Sequence, residues 1–220
     1  GSRELTAGSD VDMILLYDHD ADAEESDGEK PLAPSHYFIR LTQRLIAAVS
    51  AQTAEGVLYE LDLRLRPSGN KGPVATHIDS FRKYQREDAW TWEHMALARG
   101  RTIAGEPTLR AEAEAQVDAV LALPRDRAKV LRDATEMRAL IEEEKPPRDA
   151  WDIKLVPGGL LDLEFLAQVA VLCGEVDFPE GRQPDTADIL SHLSPGFCDQ
   201  QTVDDLVAAY RLYLGVSQVI

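Results

Sequence analysis

The clearest pattern in the chain is an alternation of apolar and charged residues between positions 57 and 66, which is strict from Tyr59 onward. The apolar members are Val57, Tyr59, Leu61, Leu63 and Leu65, and the charged members are Glu60, Asp62, Arg64 and Arg66. Because successive side chains of a strand point to opposite faces, the pattern predicts a strand with one face on a core and one charged face. Pro67 ends this predicted strand, and residues 68–73 predict a turn.

An apolar run earlier in the chain predicts a second, buried strand over residues 11–17. Asp10 and Asp12 stand at its mouth with one residue between them. Residues two apart in a strand share a face, so we expect these carboxylates to lie close together. Two like charges repel at short range unless a cation lies between them, and Mg²⁺ prefers carboxylate oxygens as ligands.

Apolar residues three to four apart predict helices over much of the remaining sequence. The predicted helices cover residues 35–49, 78–86, 90–101, 109–121, 125–144, 160–173 and 202–214. Ser35 is the expected N-cap of the first. The pattern indicates an α+β protein, with a small mixed α/β part in residues 1–105 and an all-helical part in residues 106–220. Between residues 18 and 34 the sequence is acidic and rich in Gly and Pro, which predicts a surface loop.

The charge of the chain narrows the choice of partner. The formal net charge is −16, whereas proteins that bind nucleic acids need a cationic surface. We therefore expect no nucleic-acid partner. The sequence contains no apolar run of about 18 residues, so no membrane helix is expected. A nucleotide together with a protein or small molecule is the favoured class of substrate.

Asp62 supplies the third carboxylate that nucleotidyl transfer with two metal ions requires. It lies on the charged face of the alternating strand, inside an otherwise apolar segment where an unpaired charge is costly. A metal ion shared with Asp10 and Asp12 would offset that cost. The alternative is that Asp62 pairs with Arg64 or Arg66, as charges on a sheet face often do.

Several residues are candidates for binding the phosphates of a nucleotide. Gly8-Ser9 can bring backbone N–H groups close to a phosphate. Arg64 and Arg66 follow Asp62 on the same predicted face, roughly 7 and 13 Å along the strand, and arginine suits phosphate oxygens. Lys71 lies in the predicted turn. The alternatives are an ion-pair ladder for the arginines and a solvated lysine.

Four longer stretches of the sequence resemble a known family. They are residues 3–12, 59–69, 84–94 and 152–165. Together they resemble the bacterial glutamine synthetase adenylyltransferase/adenylyl-removing enzymes, within the DNA polymerase β-like nucleotidyltransferases. The resemblance implies a polymerase β-like catalytic domain followed by a helical bundle. It also implies that Asp10, Asp12 and Asp62 are catalytic metal ligands and that Gly8-Ser9 is the turn beside the phosphates.

The same resemblance implies the chemistry and the partners. The expected cofactor is Mg²⁺ or Mn²⁺, with ATP as substrate and a tyrosine of glutamine synthetase as acceptor. Glutamine and the PII signal protein are the expected regulators of the full-length enzyme, in the cytoplasm. The family has a Gly-rich strand just before Arg3-Glu4-Leu5, here reduced to Gly1, so that strand of the sheet is expected to be missing.

The direction of the reaction has two possible interpretations. Residues 87–94 and Ser68-Gly69 look more like the C-terminal, adenylylating half of these enzymes. The first alternative is the deadenylylating half, which uses phosphate as nucleophile in the same site. The second is a non-catalytic module that binds a nucleotide or a regulator. The Gly158-Gly159 turn before a predicted helix is a further candidate for an anion site or an interdomain contact.

Overall fold

The computed structural model describes residues 10–54, 56, 59–178 and 185–218. These residues fall into two compact units. The strand unit takes the described residues up to 89 together with 105–113, and the helical unit takes 90–104 and the described residues from 114 onward. The predicted division into 1–105 and 106–220 differs from these units over residues 90–113, and it stays a prediction for the domain boundary.

The strand unit combines four short strands with two α-helices. Its elements are β1 Val11–Asp12, β2 Leu16–Tyr17, α1 Pro34–Val49, β3 Leu61–Asp62, a 3₁₀ helix Gly69–Lys71, β4 Thr76–His77 and α2 Ile78–Glu87. β1 pairs with β3, and β2 pairs with β4. Both ladders are parallel, so among the described strands the sheet is not mixed as predicted. The α+β class is confirmed, and the polymerase β-like arrangement stays a prediction.

The alternating segment leaves the extended conformation much earlier than its sequence pattern predicts. β3 ends at Asp62, and turns follow in which Arg66 N–H donates to the Leu63 carbonyl (3.2 Å) and Gly69 N–H to the Arg66 carbonyl (2.8 Å). The Asp62 carboxylate accepts the backbone N–H of Arg64 at 2.8 Å. Such a local hydrogen bond offers the backbone an alternative to the ladder, so the arginines do not continue the strand face.

Helix α1 begins one residue before its predicted cap. Ala33 occupies the N-cap position without a side-chain hydrogen bond, and Pro34 opens the helix, where its missing N–H costs nothing. Ser35 as N-cap is therefore wrong. The predicted apolar stripe does form, but in the described part of the chain Leu41, Leu45 and Val49 are 50%, 40% and 40% exposed.

Helix α6 is the centre of the helical unit. The helices here are α3 Thr91–Ala98, α5 Arg127–Glu144, α6 Leu160–Leu172, α7 Thr186–Ser191 and α8 Gln200–Ser217, and α4 Pro107–Leu121 is shared between the two units along the chain. α6 packs against α3, α5, α7 and α8. The core includes Ala167, Ala170, Ile189, Leu190 and Tyr210, each at most 1% exposed. Among the described helices, none is long and apolar enough to cross a membrane.

The predicted helices of this unit are confirmed, with ends shifted by a few residues. Only α7 is absent from the prediction, because a helix of six residues is too short to show a period. Its start is nevertheless marked by Asp185, whose carboxylate accepts the N–H groups of Ala187 and Asp188 at 2.9 and 3.1 Å.

The turn before α6 is held by contacts inside the protein. Gly158 N–H donates to Asp162 at 2.6 Å, and Leu160 N–H donates to the Ile153 carbonyl at 2.8 Å. Arg138 donates to the other Asp162 oxygen and to the Leu155 carbonyl at 2.9 Å. Because these groups already have partners, the Gly158-Gly159 turn positions the start of α6 and offers little to an anion.

We predict that Gly159→Ala destabilises the helical unit. An added Cβ would lie 2.4 Å from the Ile153 carbonyl oxygen and 2.8 Å from that of Val156, so backbone must move, at a cost of about 1–3 kcal/mol. Urea unfolding measures the loss. Gly215→Ala is the matched control, because Gly215 lies in α8 with open space around its Cα. There alanine is expected to stabilise by about 0.5–1 kcal/mol. Equal effects at both positions would contradict the packing argument.

Asp133 gives the helical unit a pH-dependent contribution to stability. Hydrogen bonds from Lys129, and then from Thr91, hold the pKa of its carboxyl below the usual value. A depressed folded-state pKa stabilises the fold above the unfolded pKa, and this stabilisation is lost as the pH falls through the folded value. Asp133→Asn is expected to lower the free energy of unfolding by about 1 kcal/mol at pH 7. In urea titrations the difference should shrink below about pH 4; a difference that stays constant to pH 3 would contradict this.

Candidate active site

An open polar cleft lies in the strand unit where β1 and β3 end. Its volume is about 450 Å³, and its polar lining comes from Asp10, Glu60, Asp62, Arg64, Arg66 and Asn70. Because the two strands run parallel, their carboxyl ends meet at one edge. The carboxylates of Asp10, Glu60 and Asp62 line this cleft, whereas Asp12 is not among its lining residues.

The register of the ladder fixes two of the three carboxylates beside each other. Asp12 is the direct partner of Asp62 across the strands, and neighbouring strands lie about 4.8 Å apart. Val11 N–H donates to the Glu60 carbonyl and Met13 N–H to the Asp62 carbonyl, both at 2.8 Å. These two bonds flank Asp12, so the register cannot slip without breaking both.

The pKa of the Asp12 carboxyl lies above its usual range. Although the residue as a whole is exposed, desolvation of the carboxyl is the first cause, and the negative charges of Asp62 and Asp10 add to it, while Arg64 acts in the opposite direction. A raised pKa means that the charged form is disfavoured where it stands. A cation beside Asp12 would favour its charged form again.

Arg64 is the partner of Asp62 in this structure. Its Nε donates to both carboxylate oxygens, at 3.0 and 2.7 Å, and its terminal NH2 group donates to Oδ2. This hydrogen bonding is the main reason that the pKa of Asp62 lies below its usual value. The structure thus shows the alternative, a pair of Asp62 with Arg64.

Arg66 lines the cleft, but its guanidinium is bound within the turn. It is only 8% exposed, and its guanidinium donates to the Leu63 carbonyl at 2.6 Å and the Gly72 carbonyl at 3.2 Å. The prediction that both arginines extend along one strand face is therefore wrong, because the strand ends before either. A buried guanidinium that is hydrogen-bonded to two carbonyls is poorly placed to bind a phosphate.

The other predicted phosphate-binding residues have different outcomes. Lys71 lies exposed in the 3₁₀ helix and is not among the residues that line the described cleft. Gly8 and Ser9 lie outside the described residues. Conversely, Glu60 and Asn70 line the cleft without having been predicted. The place of Glu60 on the charged side of the alternating segment could have indicated it, whereas Asn70 gives no signal in the sequence.

The donor set suits a divalent cation in its chemistry. Asp10, Asp12 and Asp62 offer carboxylate oxygens, which Mg²⁺ and Mn²⁺ accept as ligands. Within the described residues, however, no group of three or more His, Cys, Asp or Glu side chains is already arranged to hold a metal ion. At Asp62 both oxygens are engaged by Arg64. The roles of Asp10, Asp12 and Asp62 as metal ligands therefore stay a prediction.

Models of two known families match different parts of the chain. A family model described as glutamate–ammonia ligase adenylyltransferase matches residues 1–116. The chain belongs to this adenylyltransferase family. A second model, described as PII-uridylyltransferase, matches residues 135–219, which cover most of α5 and all of α6 to α8. The chain is thus similar to two kinds of nucleotidyltransferase in two different parts.

Relatives of the adenylyltransferase family match over the entire chain. A bifunctional glutamine synthetase adenylyltransferase/adenylyl-removing enzyme of Mesorhizobium japonicum is 70% identical over 219 residues. Enzymes of the same name from Brucella suis and Agrobacterium fabrum are 65% and 57% identical. In each case the match covers 100% of this chain and 22% of the relative. The chain therefore spans about a fifth of the length of these relatives.

These matches confirm the predicted nucleotidyltransferase family. They do not support the prediction that the chain is the C-terminal half of such an enzyme. Because the relatives' name joins an adenylyltransferase with an adenylyl-removing activity, it also leaves the direction of the reaction open.

The two arginines are expected to differ sharply in what they contribute to stability. Arg66→Ala removes charged hydrogen bonds to two carbonyls and leaves these buried, which costs about 2–3 kcal/mol. Arg64→Ala removes an exposed ion pair, with an expected cost of at most about 1 kcal/mol. Urea unfolding of the two variants provides the measurement. A larger loss in Arg64→Ala would contradict the assignment of Arg66 to the turn.

Proposed function

We propose that this chain contains the site that transfers AMP between ATP and a tyrosine hydroxyl of glutamine synthetase. The observation that carries the proposal is the pairing of Asp12 with Asp62 across β1 and β3, beside a cleft that Asp10, Asp62 and Arg64 line. The family match supports the reaction class. The name of the relatives supports glutamine synthetase as the protein partner.

Asp10, Asp12 and Asp62 are the residues that would hold Mg²⁺ or Mn²⁺. When bound, such ions lower the pKa of an attacking hydroxyl and stabilise charge on the leaving oxygen. The remaining tasks belong to the chain itself. The open cleft admits a triphosphate and a protein side chain, Arg64 presents a positive charge at its rim, and Asn70 presents amide donors.

The reaction follows from this arrangement. The tyrosine oxygen attacks the α-phosphorus of ATP in line and loses its proton, the bond to the bridging α–β oxygen breaks, and pyrophosphate leaves. In the opposite direction, an oxygen of inorganic phosphate attacks the phosphorus of tyrosyl-AMP, and ADP forms as the tyrosine leaves with a proton. Both directions need the same carboxylates, so the geometry of the cleft suits either.

We favour adenylylation, because residues 87–94 and Ser68-Gly69 resemble the adenylylating half more closely. Phosphorolytic removal of AMP is the second candidate, since the relatives' name joins both activities. A polymerase β-like arrangement of the strand unit and a cytoplasmic location belong to the same proposal.

The helical unit is proposed to serve regulation in the full-length protein. Residues 135–219 match a model for a nucleotidyltransferase whose name gives PII as its protein, whereas the relatives' name gives glutamine synthetase. A unit common to both is better suited to a shared task than to selecting one substrate. Responses to glutamine and to PII are therefore proposed to act through this unit.

Asp12→Asn is expected to reduce AMP transfer by at least about 100-fold, because the metal contribution amounts to several kcal/mol. The assay follows radiolabelled AMP from ATP to glutamine synthetase. Asp79→Asn is the matched control, since Asp79 is an aspartate of the same unit that pairs with Arg82 at 2.6 Å on α2, away from the cleft. Full activity of Asp12→Asn would refute the catalytic role of the cleft.

The same assay separates the alternatives. Wild-type chain that removes AMP in the presence of phosphate but never adds it would identify the adenylyl-removing reaction. A chain that binds ATP and does neither would identify a binding module.

A further inference from the structure

Arg64 binds both carboxylate oxygens of Asp62, with its backbone N–H and with its side chain. Oδ1 accepts from the backbone N–H of Arg64 at 2.8 Å and from Nε at 3.0 Å. Oδ2 accepts from Nε at 2.7 Å and from the terminal NH2 group. A divalent cation needs the same lone pairs. Arg64 and a metal ion therefore cannot both bind Asp62 in this way.

The pair is asymmetric in its exposure. The Arg64 side chain is 70% exposed, whereas that of Asp62 is 13% exposed. Arg64 thus covers a largely shielded carboxylate from the solvent side. An exposed guanidinium holding one ion pair contributes little to folding, so it can move away at a small cost.

The charge of Arg64 also reaches the other two carboxylates. Asp12 and Asp10 both raise the pKa of the Arg64 guanidinium, after the larger effect of Asp62. The charge of Arg66 also acts on Asp62, but its guanidinium is bound to the Leu63 and Gly72 carbonyls. Of these two arginines, Arg64 is therefore the one whose side chain hydrogen-bonds the Asp62 carboxylate.

We propose that Arg64 is an exchangeable counter-ion, which leaves Asp62 when a divalent cation binds and then faces the triphosphate. This inference rests on the proposed function, since it takes the cleft to be a site for a metal–triphosphate complex. Arg64 acts as a positioning residue in this scheme: it holds Asp62 in place and compensates its charge until the cation arrives.

The exchange has a thermodynamic consequence. A cation that binds alone must break the Arg64–Asp62 ion pair, so it binds weakly. When a triphosphate is also present, the released guanidinium can pair with it, which offsets part of the free energy lost with the first ion pair. Cation and nucleotide therefore bind with positive coupling, and by linkage each raises the affinity for the other by the same factor. Removing the guanidinium should strengthen binding of the cation alone and weaken the coupling.

The test measures binding of Mn²⁺ alone to the chain by calorimetry, in wild type, Arg64→Gln and Lys83→Gln. Arg64→Gln is expected to bind Mn²⁺ about fivefold more tightly, the equivalent of releasing one exposed ion pair. Lys83→Gln is the matched control, because it removes one positive charge of the same unit from an exposed pair with Glu87. It should leave the Mn²⁺ affinity unchanged.

A second titration uses a non-hydrolysable ATP analogue with and without Mn²⁺. In wild type the analogue should bind more tightly when Mn²⁺ is present, and this gain should fall in Arg64→Gln. The Arg64 Nε–H resonance gives an independent readout: its exchange with water should be slow in the metal-free chain and faster once Mg²⁺ is added. Arg64→Lys keeps the charge without the fork and should give an intermediate Mn²⁺ affinity.

The outcomes separate this inference from the proposed function. If Asp12→Asn weakens Mn²⁺ binding but Arg64→Gln leaves it unchanged or weaker, the counter-ion role is refuted and the metal site stands. If neither Asp10→Asn nor Asp12→Asn affects Mn²⁺ binding, the proposed metal site is itself refuted. Tighter Mn²⁺ binding in both Arg64→Gln and Lys83→Gln would also refute the inference, since net charge alone would then explain the change.

Discussion

The cleft depends on one geometric constraint, the parallel pairing of β1 with β3 in a register that sets Asp12 beside Asp62. Each strand has only two residues in the ladder, yet the backbone bonds on both sides of Asp12 leave no alternative register. The result is a concentration of negative charge that the fold itself does not relieve. The neighbouring arginine, the desolvated Asp12 carboxyl and the polar cleft are all consequences of that placement.

Much of this could be anticipated from the sequence, because it depends on local rules. Aspartates two apart at the mouth of an apolar run indicated a shared site, and Asp62 was found from its place in the alternating segment. The longer helices were also predicted, because apolar residues that recur every three to four positions over three or more turns are typical of a helix. The family was identified from combinations of residues that no single motif carries.

The end of β3 could not be predicted from the sequence, because it depends on a side-chain hydrogen bond that the alternation of apolar and charged residues does not indicate. Strict alternation predicts a strand through Arg66, but the Asp62 side chain binds the Arg64 backbone N–H and the chain turns. Arg64 is exposed at the cleft and Arg66 is buried in the turn, so the two side chains do not share one strand face. Similarly, the spacing of apolar residues correctly predicted helix α1. That spacing does not indicate whether the apolar face of the helix is buried by other parts of the protein.

Asp62 therefore has two duties that draw on the same side chain. Its carboxylate ends the strand by accepting a backbone N–H two residues on, and it also presents the charge that the cleft requires. A glutamate would keep the charge, but its extra methylene would carry the oxygens past the Arg64 backbone, while an asparagine would keep the turn and lose the charge. Neither substitution at residue 62 therefore keeps both the hydrogen bond that forms the turn and the negative charge. A change at residue 62 therefore alters both the backbone path through residues 63–66 and the charge at the cleft.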